Sequence, residues 1–526
     1  MFWADKIAES AKEKFEAKIK EGKPLVIRDE KTLSGRVHIG SLRGVTIHGV
    51  VSEVLSESKI KNKFLFELND FDPMDGLPVY VDQEKFLPYM GFPLYKVPSP
   101  DGLSENFAEY FGNEFAGVIK DEGFEPEYYR SSELYLSGKY NEMIRLALDG
   151  ADKIRKIYKD ISGSVKEDKW LPLSVICENC GKVGTTRASN WDGKEVSYEC
   201  GDFVEWGKGC GHKGKISPFD GKAKLPWKVE WAAKFTILDV DIEGGGKDHS
   251  TKGGSREIAD TISREVFKRE PPLNIPYEFF QIAGKKMSSS KGRGSFSRDI
   301  ADLLPAHILR LLLMKDPNRV IEFDPEGDTV PILYDTYDTN AKKYFGGIID
   351  DVSRAFPFYY PINERGNIKS SILPRFSLIA FLAQMPHLSA ETEVEKMEGR
   401  TLTNDDKSEL NLRIKYAKKW LSDYAPENYK FEIQKEIPAQ AKDITEAEKD
   451  AVKEVLKFIE SKQVLDGQEL HTGLHEIKTR LNIEPKVLFK PIYLATLGKE
   501  SGPKAGWFLS VLDRDFLIKR FKEAIK

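Results

Sequence analysis

Apolar residues recur every fourth position through Ile7, Ala11, Phe15 and Ile19, which predicts that the chain opens on an amphipathic helix. A short apolar run, PLVIRDE from Pro24, then reads as a strand and enters a glycine-containing loop, TLSGRVHIGSLRG. Apolar residues return at helical spacing from that loop to about Ser58, so strand, turn and helix follow one another as a βα unit. A second apolar strand, FLFELNDFD from Phe64, ends in carboxylates, as a strand does when its carboxyl end faces a ligand crevice. The alternation continues to about Glu133, and a doubly wound parallel sheet of the α/β class is the expected fold.

Between about Asp168 and Lys224 the texture changes to glycine, cysteine and tryptophan with short strands, and apolar patterning resumes at Val229. That stretch reads as an insertion into the sheet domain. Past about Asp302 the pattern is almost all helical; from Thr445 to Glu460 a T-x-x-E capping box leads a helix with Val452, Val455, Leu456 and Ile459 on one face. With 526 residues the chain exceeds a single core. The expected division is a sheet domain at 1–167 and 225–300, an insertion at 168–224, a connecting helical region at 301–360 and a helical domain at 361–526. No segment has the roughly 18 uninterrupted apolar residues of a membrane span. The opening MFWADKIAESAKEKFEAKIKEGK lacks the apolar run of a signal peptide, so a cytoplasmic location is expected. Net charge is −4, from 80 basic against 84 acidic residues, which assigns any nucleic-acid contact to local basic surfaces rather than a global field. All four cysteines fall between Cys177 and Cys210, a clustering that suits a metal better than a disulfide framework.

Two motifs carry chemistry. Ser34-Gly35-Arg36-Val37-His38-Ile39-Gly40-Ser41 sits between the first strand and the next helix, where small residues let a nucleotide approach the backbone and an imidazole can hydrogen-bond phosphate oxygens. Gly284-Lys285-Lys286-Met287-Ser288-Ser289-Ser290-Lys291-Gly292 follows the apolar strand YEFFQIAG, and its ammonium groups and hydroxyls suit a pyrophosphate leaving group. Each alone also reads as an ordinary turn or a solvated linker; in this order, each after a strand, they reinforce one another. HIGS and KMSSSKG resemble the HIGH and KMSKS signatures of class I aminoacyl-tRNA synthetases. The resemblance implies a Rossmann-like catalytic domain that condenses ATP, with Mg2+, and an amino acid, then aminoacylates a tRNA. His38 would stabilise the pentavalent phosphate, Gly40 would admit the adenine, and Lys286 and Lys291 with Ser288, Ser289 and Ser290 would hold the pyrophosphate. Ser41 and Ser289 depart from the two signatures.

Further runs resemble the class I lysyl-tRNA synthetases of archaeal type: Gly246-Lys247-Asp248-His249 after a strand around Phe235, Pro276-Tyr277-Glu278-Phe279, Ser132-Glu133-Leu134-Tyr135 and Trp227-Lys228-Val229-Glu230-Trp231. The partners implied are L-lysine and tRNA(Lys), with no membrane and no DNA. A lysine pocket needs negative charge for the ammonium and aromatic walls for the methylene stem. Trp231, Tyr277 and His249 are candidates for its lining, Thr32 for a hydroxyl or backbone contact, and Asp70 or Asp72 for charge at a strand end. The competing reading makes Trp231 and Tyr277 core aromatics and the aspartates helix caps.

Cys177-Glu-Asn-Cys180-Gly is a metal knuckle, with Cys200 and then Cys210-Gly-His212 as the second half of a structural Zn2+ site. Five candidates compete for four places: the resemblance favours a set with His212, the cysteine count one of four sulfurs. In Leu412–Trp420 rings alternate with positive charge, either to grip tRNA or as a solvated helix with Tyr416 and Trp420 turned inward. The fold expected overall is a Rossmann-like parallel sheet with a zinc-binding insertion and an α-helical C-terminal anticodon-binding half. Two other functions compete with lysine activation: a class I synthetase for another amino acid such as glutamate, and a non-catalytic tRNA-binding paralogue.

Overall fold

The computed structural model describes residues 1–282, 296–385 and 388–526, with the backbone alone at 285 and 286. The chain forms two compact units, one of residues 1–323 and 340–368, the other of 324–339 and 369–526.

The first unit is built on a parallel sheet. Strand β1, Leu25–Thr32, pairs residue for residue with β2, Asn62–Asn69, from Leu25↔Asn62 to Thr32↔Asn69. On its far side β2 pairs with β3, Glu127–Arg130. On the opposite side of β1, Ile27 bridges Ile242 in parallel, and Ile242 bridges Leu273. A few residues on, β4, Gly245–Gly246, pairs with β5, Pro276–Tyr277. The order is therefore β3-β2-β1, then the 242–246 segment, then 273–277, and the direction of winding reverses at β1. A sheet of this kind binds ligands at the carboxyl ends of its strands beside the reversal. Leu25 to Asp29 are all buried, as expected of a central strand covered on both faces.

Helix α1, Trp3–Lys14, ends one turn short of the predicted span, and a separate turn, Glu16–Lys20, follows. Its buried face is Trp3, Ala4, Ala8 and Ala11, with Ile7, Phe15 and Ile19 only half-buried, because the Trp3 indole is anchored by donation to the Met314 carbonyl at 2.9 Å. Helix α2, Ile39–Glu57, follows β1 as predicted and is buried on every side, from Leu42 and Arg43 to Val54 and Leu55. The strand expected around Phe235 is instead helix α3, Trp227–Ile237. Pro226 precedes it in the extended conformation, and Trp227, Trp231 and Phe235 stack at helical spacing. The strand that leads into Gly246 is the 241–246 segment. YEFFQIAG is interrupted: β5 ends at Tyr277, and Phe280–Ile282 forms another strand, parallel to Ile321–Phe323. Within 174–224 the strands are short and antiparallel, Thr186–Ser189 pairing with Val196–Cys200 and that with Lys213–Ile216.

One buried carboxyl on the α2 side sets a pH dependence. Glu122 is fully buried, accepts the Thr46 hydroxyl at 2.5 Å, and leaves its other oxygen without a partner. Burial pushes its pKa from 4.5 up to about 8. The folded chain thus retains a proton that the unfolded chain releases, a contribution complete below about pH 4.5 and lost as pH rises through about 8. Glu122→Gln is expected to gain stability over the wild type as pH rises from 5 to 8. Thermal melts of both proteins at each pH check this, and a pH-independent difference would refute it.

The second unit is helical. Thr445 and Glu448 form the expected capping box of helix Glu446–Glu460, which buries Val452, Val455, Leu456 and Ile459. In helix Asn404–Asp423, Trp420 is fully buried and its indole donates to the Pro325 carbonyl at 2.8 Å. Arg413 is buried on Asp338, while Lys415 and Lys418 face outward. Trp420 therefore holds the core of this unit and offers no ring to RNA.

Candidate active site

A cavity of about 400 Å3 opens at the carboxyl ends of β1 and β4. It brings together seven residues singled out in the sequence, Thr32, His38, Gly40, Ser41, Trp231, His249 and Tyr277, with Asp29, Glu30, Lys31, Glu243, Asp248 and the bare backbone of Gly244–Gly246.

His38 is the residue before the first turn of α2, where unpaired backbone N–H groups favour an anion. Its Nε2 lies 3.5 Å from the Ser41 hydroxyl, and its Nδ1 is buried with no protein partner. Burial, reinforced by the nearby Lys31 ammonium, lowers its pKa to about 3, so the ring is neutral. A neutral imidazole at a helix N-terminus can donate to phosphate oxygens without first losing a proton. Burial also lowers the Lys31 pKa.

The inner end of the cavity is negative. A Cβ on Gly44 would lie 2.7 Å from the Tyr277 hydroxyl and 2.8 Å from Asp29 Oδ2, so glycine here is what lets these two groups converge on α2. Asp29 faces His48, whose Nδ1 is 3.3 Å from its carboxylate and 2.8 Å from the Gly44 carbonyl. Asp29 draws the His48 pKa upward against burial, but Nε2 accepts the Gly244 amide at 2.8 Å, which occupies the place of a second proton. With Nδ1 turned to the Gly44 carbonyl and Nε2 accepting an amide, the imidazole is held neutral. Trp231 forms a fixed wall: its indole donates to Glu243 at 2.6 Å, and it stacks on Trp227 with ring centres 5.7 Å apart.

Beneath the cavity runs a network of buried charges that the sequence reading missed. Arg28 pairs with Glu30, Glu67 and Glu243. Lys234 meets Glu30 and Glu67 at 2.8 Å each and Glu230 at 3.8 Å. Lys224 bridges Glu230 at 2.6 Å and Asp72 at 2.9 Å, and Asp72 accepts the Thr32 hydroxyl at 2.7 Å. The available signal was charge inside apolar runs: Arg28 and Glu67 in two strands, Glu230 and Lys234 in α3.

Other predicted residues lie elsewhere. Asp70 is buried, accepting the Ser132 amide at 2.8 Å and the Ser132 hydroxyl at 2.5 Å, and ties the end of β2 to the helix Ser131–Leu136 rather than lining the cavity. Ser34 lines a neighbouring cavity, and Gly35 packs under the Tyr80 hydroxyl. Lys286 is placed by its backbone in a short strand, Lys285–Lys286, antiparallel to Phe280–Ile282. Met287, Ser288, Ser289, Ser290 and Lys291 fall outside the described residues.

The family model described as tRNA synthetases class I (K) matches residues 1–359, which include every residue of this cavity. The chain belongs to the class I tRNA synthetases. A model of an anticodon binding domain matches residues 418–525 of the synthetase. A lysine–tRNA ligase of Methanosarcina barkeri (strain Fusaro) is 33% identical, the match covering 99% of this chain and 97% of the relative. Another, from Archaeoglobus fulgidus, is 31% identical over 100% of both chains. Among solved structures, a glutamate tRNA ligase from Elizabethkingia meningosepticum is similar at a TM-score of 0.43 and 12% identity, covering 96% of this chain and 99% of its own, too distant to carry an argument. Membership of the class implies that the synthetase uses ATP. Among its described residues no helix is long and apolar enough to cross a membrane.

The synthetase also gathers the sulfurs of Cys177, Cys180, Cys200 and Cys210 within 4.8 Å of one another, a donor set able to hold a metal ion. Tetrahedral ligation at about 2.3 Å sets sulfurs about 3.8 Å apart. Cys177–Cys210 and Cys180–Cys200 are each separated by 3.7 Å. Burial pushes the Cys180 thiol up to about 12, so a cation is needed to hold it as thiolate. His212 is not in this set; its ring packs on Tyr198, with centres 5.8 Å apart.

Proposed function

We propose that the synthetase activates L-lysine with ATP in this cavity and transfers it to tRNA(Lys), with release of AMP and pyrophosphate. The observation that carries the reading is the charge of the lining: Asp29, Glu30, Glu243, Asp248 and Glu278 face it against the single ammonium of Lys31. Arg28 and Lys234 neutralise Glu30 and Glu243 from below and Lys247 pairs with Glu278; of the remaining carboxylates, Asp29, beside the Tyr277 hydroxyl at the inner end, is the acceptor we assign to a substrate ammonium. Trp231 and His249 would flank the methylene stem and Thr32 the amino-acid head group. A glutamate side chain would need a cation where Asp29 stands. The substrate carboxylate attacks the α-phosphate and pyrophosphate leaves; His38 donates to the phosphate, the α2 N-terminus adds positive potential, and Lys286 and Lys291 draw off the leaving group. Mg2+ entering with ATP would neutralise phosphate charge.

Pyrophosphate exchange into ATP, run with each amino acid in the presence of tRNA, is expected to depend on lysine. Asp29→Asn should raise the lysine KM by about 10–100-fold, the worth of one charge-assisted hydrogen bond. Exchange driven by glutamate instead would sink the reading.

For the cysteine cluster we propose structural Zn2+ bound by all four thiolates, with no open position for chemistry. Metal analysis should return one zinc per chain, and Cys180→Ser should lose it and lower the melting temperature. Full zinc retention by that variant, with loss in His212→Ala, would restore the ligand set containing histidine.

A further inference from the structure

Strand β1 offers an ammonium as well as a carboxylate to the cavity. Successive side chains of a strand point to opposite faces, so Lys31 shares a face with Asp29 and lies nearer the carboxyl end of β1. Both residues line the cavity of about 400 Å3. Helix α2 covers this face: Gly44 lies against Asp29, and His38 stands about 9 Å back along the helix axis. The Lys31 charge is drawn by Asp29 and depresses the His38 pKa, so its ammonium is within range of both. Each of the other ammoniums around the site has a carboxylate: Lys224 and Lys234 are paired beneath the cavity, and Lys247 is paired with Glu278. Lys31 differs. It is half-buried, and among the described residues no oxygen accepts a hydrogen bond from its ammonium. An ammonium held away from water in this way calls for an anionic group from the ligand.

Resting on the function proposed above, we propose that Lys31 binds the α-carboxylate of the substrate lysine, so that β1 reads both ends of the amino acid, the side-chain ammonium at Asp29 and the carboxylate at Lys31. The dimensions agree. Two residues of a strand span about 7 Å, close to the reach of an extended lysine from its ammonium to its carboxylate. The other anion at hand, the α-phosphate, has the His38 imidazole and the N-terminus of α2 to meet it. For the carboxylate the lining supplies, among the described residues, no lysine or arginine but Lys31. Held there, the carboxylate lies toward the end of the cavity where His38 would meet the phosphate that it attacks.

The test is a binding cycle between protein and ligand charge, with full-length protein and equilibrium dialysis of labelled lysine against unlabelled lysine or lysinamide, in which the carboxylate is replaced by a neutral amide. Wild type should bind lysine about 10–100-fold more tightly than lysinamide, the worth of one charge-assisted hydrogen bond, and Lys31→Met should shrink that ratio to about 3-fold or less. Lys31→Arg should keep most of it, because the charge is retained. A purely structural role for Lys31 would weaken both ligands alike. An unchanged ratio in Lys31→Met, or no preference for lysine over lysinamide in the wild type, would overturn the proposal, as would a slower adenylation with the ratio intact, which would turn Lys31 to the phosphate instead. Should the methionine variant fold poorly, wild type decides alone: crystals grown with lysine should place a carboxylate oxygen about 2.7–2.9 Å from Lys31 Nζ, and a carboxylate bound elsewhere would overturn the assignment. Failure of the wild type to bind lysine at all would overturn the function on which this proposal rests, whereas lysine binding with an unchanged ratio would overturn this proposal alone.

Discussion

His38→Ala lowers the rate of adenylate formation by about 10²–10³-fold and moves the lysine KM little, the size expected on losing one preorganised donor to charge that develops in the transition state. The placement argues for this split. His38 sits at the N-terminus of α2, and its Nδ1, buried and without a protein partner, is a polar group in waiting for a ligand. The inner end of the cavity, at Asp29 and Tyr277, is formed by other elements and stays intact. With its pKa lowered to about 3, His38 is neutral throughout pH 6–8, so its titration adds no limb to the pH–rate profile there. His38→Asn, which keeps a donor near the same place, should recover part of the loss. Single-turnover adenylate formation separates the two parameters; a fall in rate fully accounted for by a weaker lysine KM would reject the assignment.

Lys234→Met is expected to destabilise the first unit by about 3–5 kcal/mol, the cost of breaking a buried ion pair from one side. Lys234 is fully buried, and its ammonium is held between Glu30, Glu67 and Glu230. Its removal leaves carboxylates facing one another with only Arg28 and Lys224 to balance them. Combining it with Glu67→Gln should return part of the loss, because one uncompensated charge disappears with its partner. Urea denaturation of the two single variants and the double variant measures the coupling; strictly additive losses would show that the network does not act as a unit.

Most of the frame around the candidate site was legible because its signals are local. A strand, a turn with small residues and a helix must follow one another for a phosphate to reach a helix N-terminus, and β1, His38 and α2 stand where the pattern put them. The capping box at Thr445 and Glu448 was readable for the same reason. What failed depends on distance in space. Asp70 sits at a strand end as Asp72 does, and only the fold shows that Ser131 and Ser132 claim the first while Thr32 and Lys224 hold the second. The apolar run around Phe235 fits a strand or a buried helix equally well, since burial on all sides erases periodicity. Asp29 escaped notice because its meaning depends on an absence, the missing side chain of Gly44 on another element.

The alternation of β1 carries a consequence for insertions and deletions. Arg28 and Glu30 turn toward Lys234 on α3, and Asp29 turns the other way, toward Gly44 and His48 on α2. Loss or gain of one residue within the strand would exchange these faces, presenting a guanidinium to the substrate and burying an aspartate among glutamates. If Asp29 receives the substrate ammonium as proposed, the charge preference of the pocket depends on the register of a single strand. A one-residue insertion in a loop leaves these faces where they are, whereas one within β1 does not.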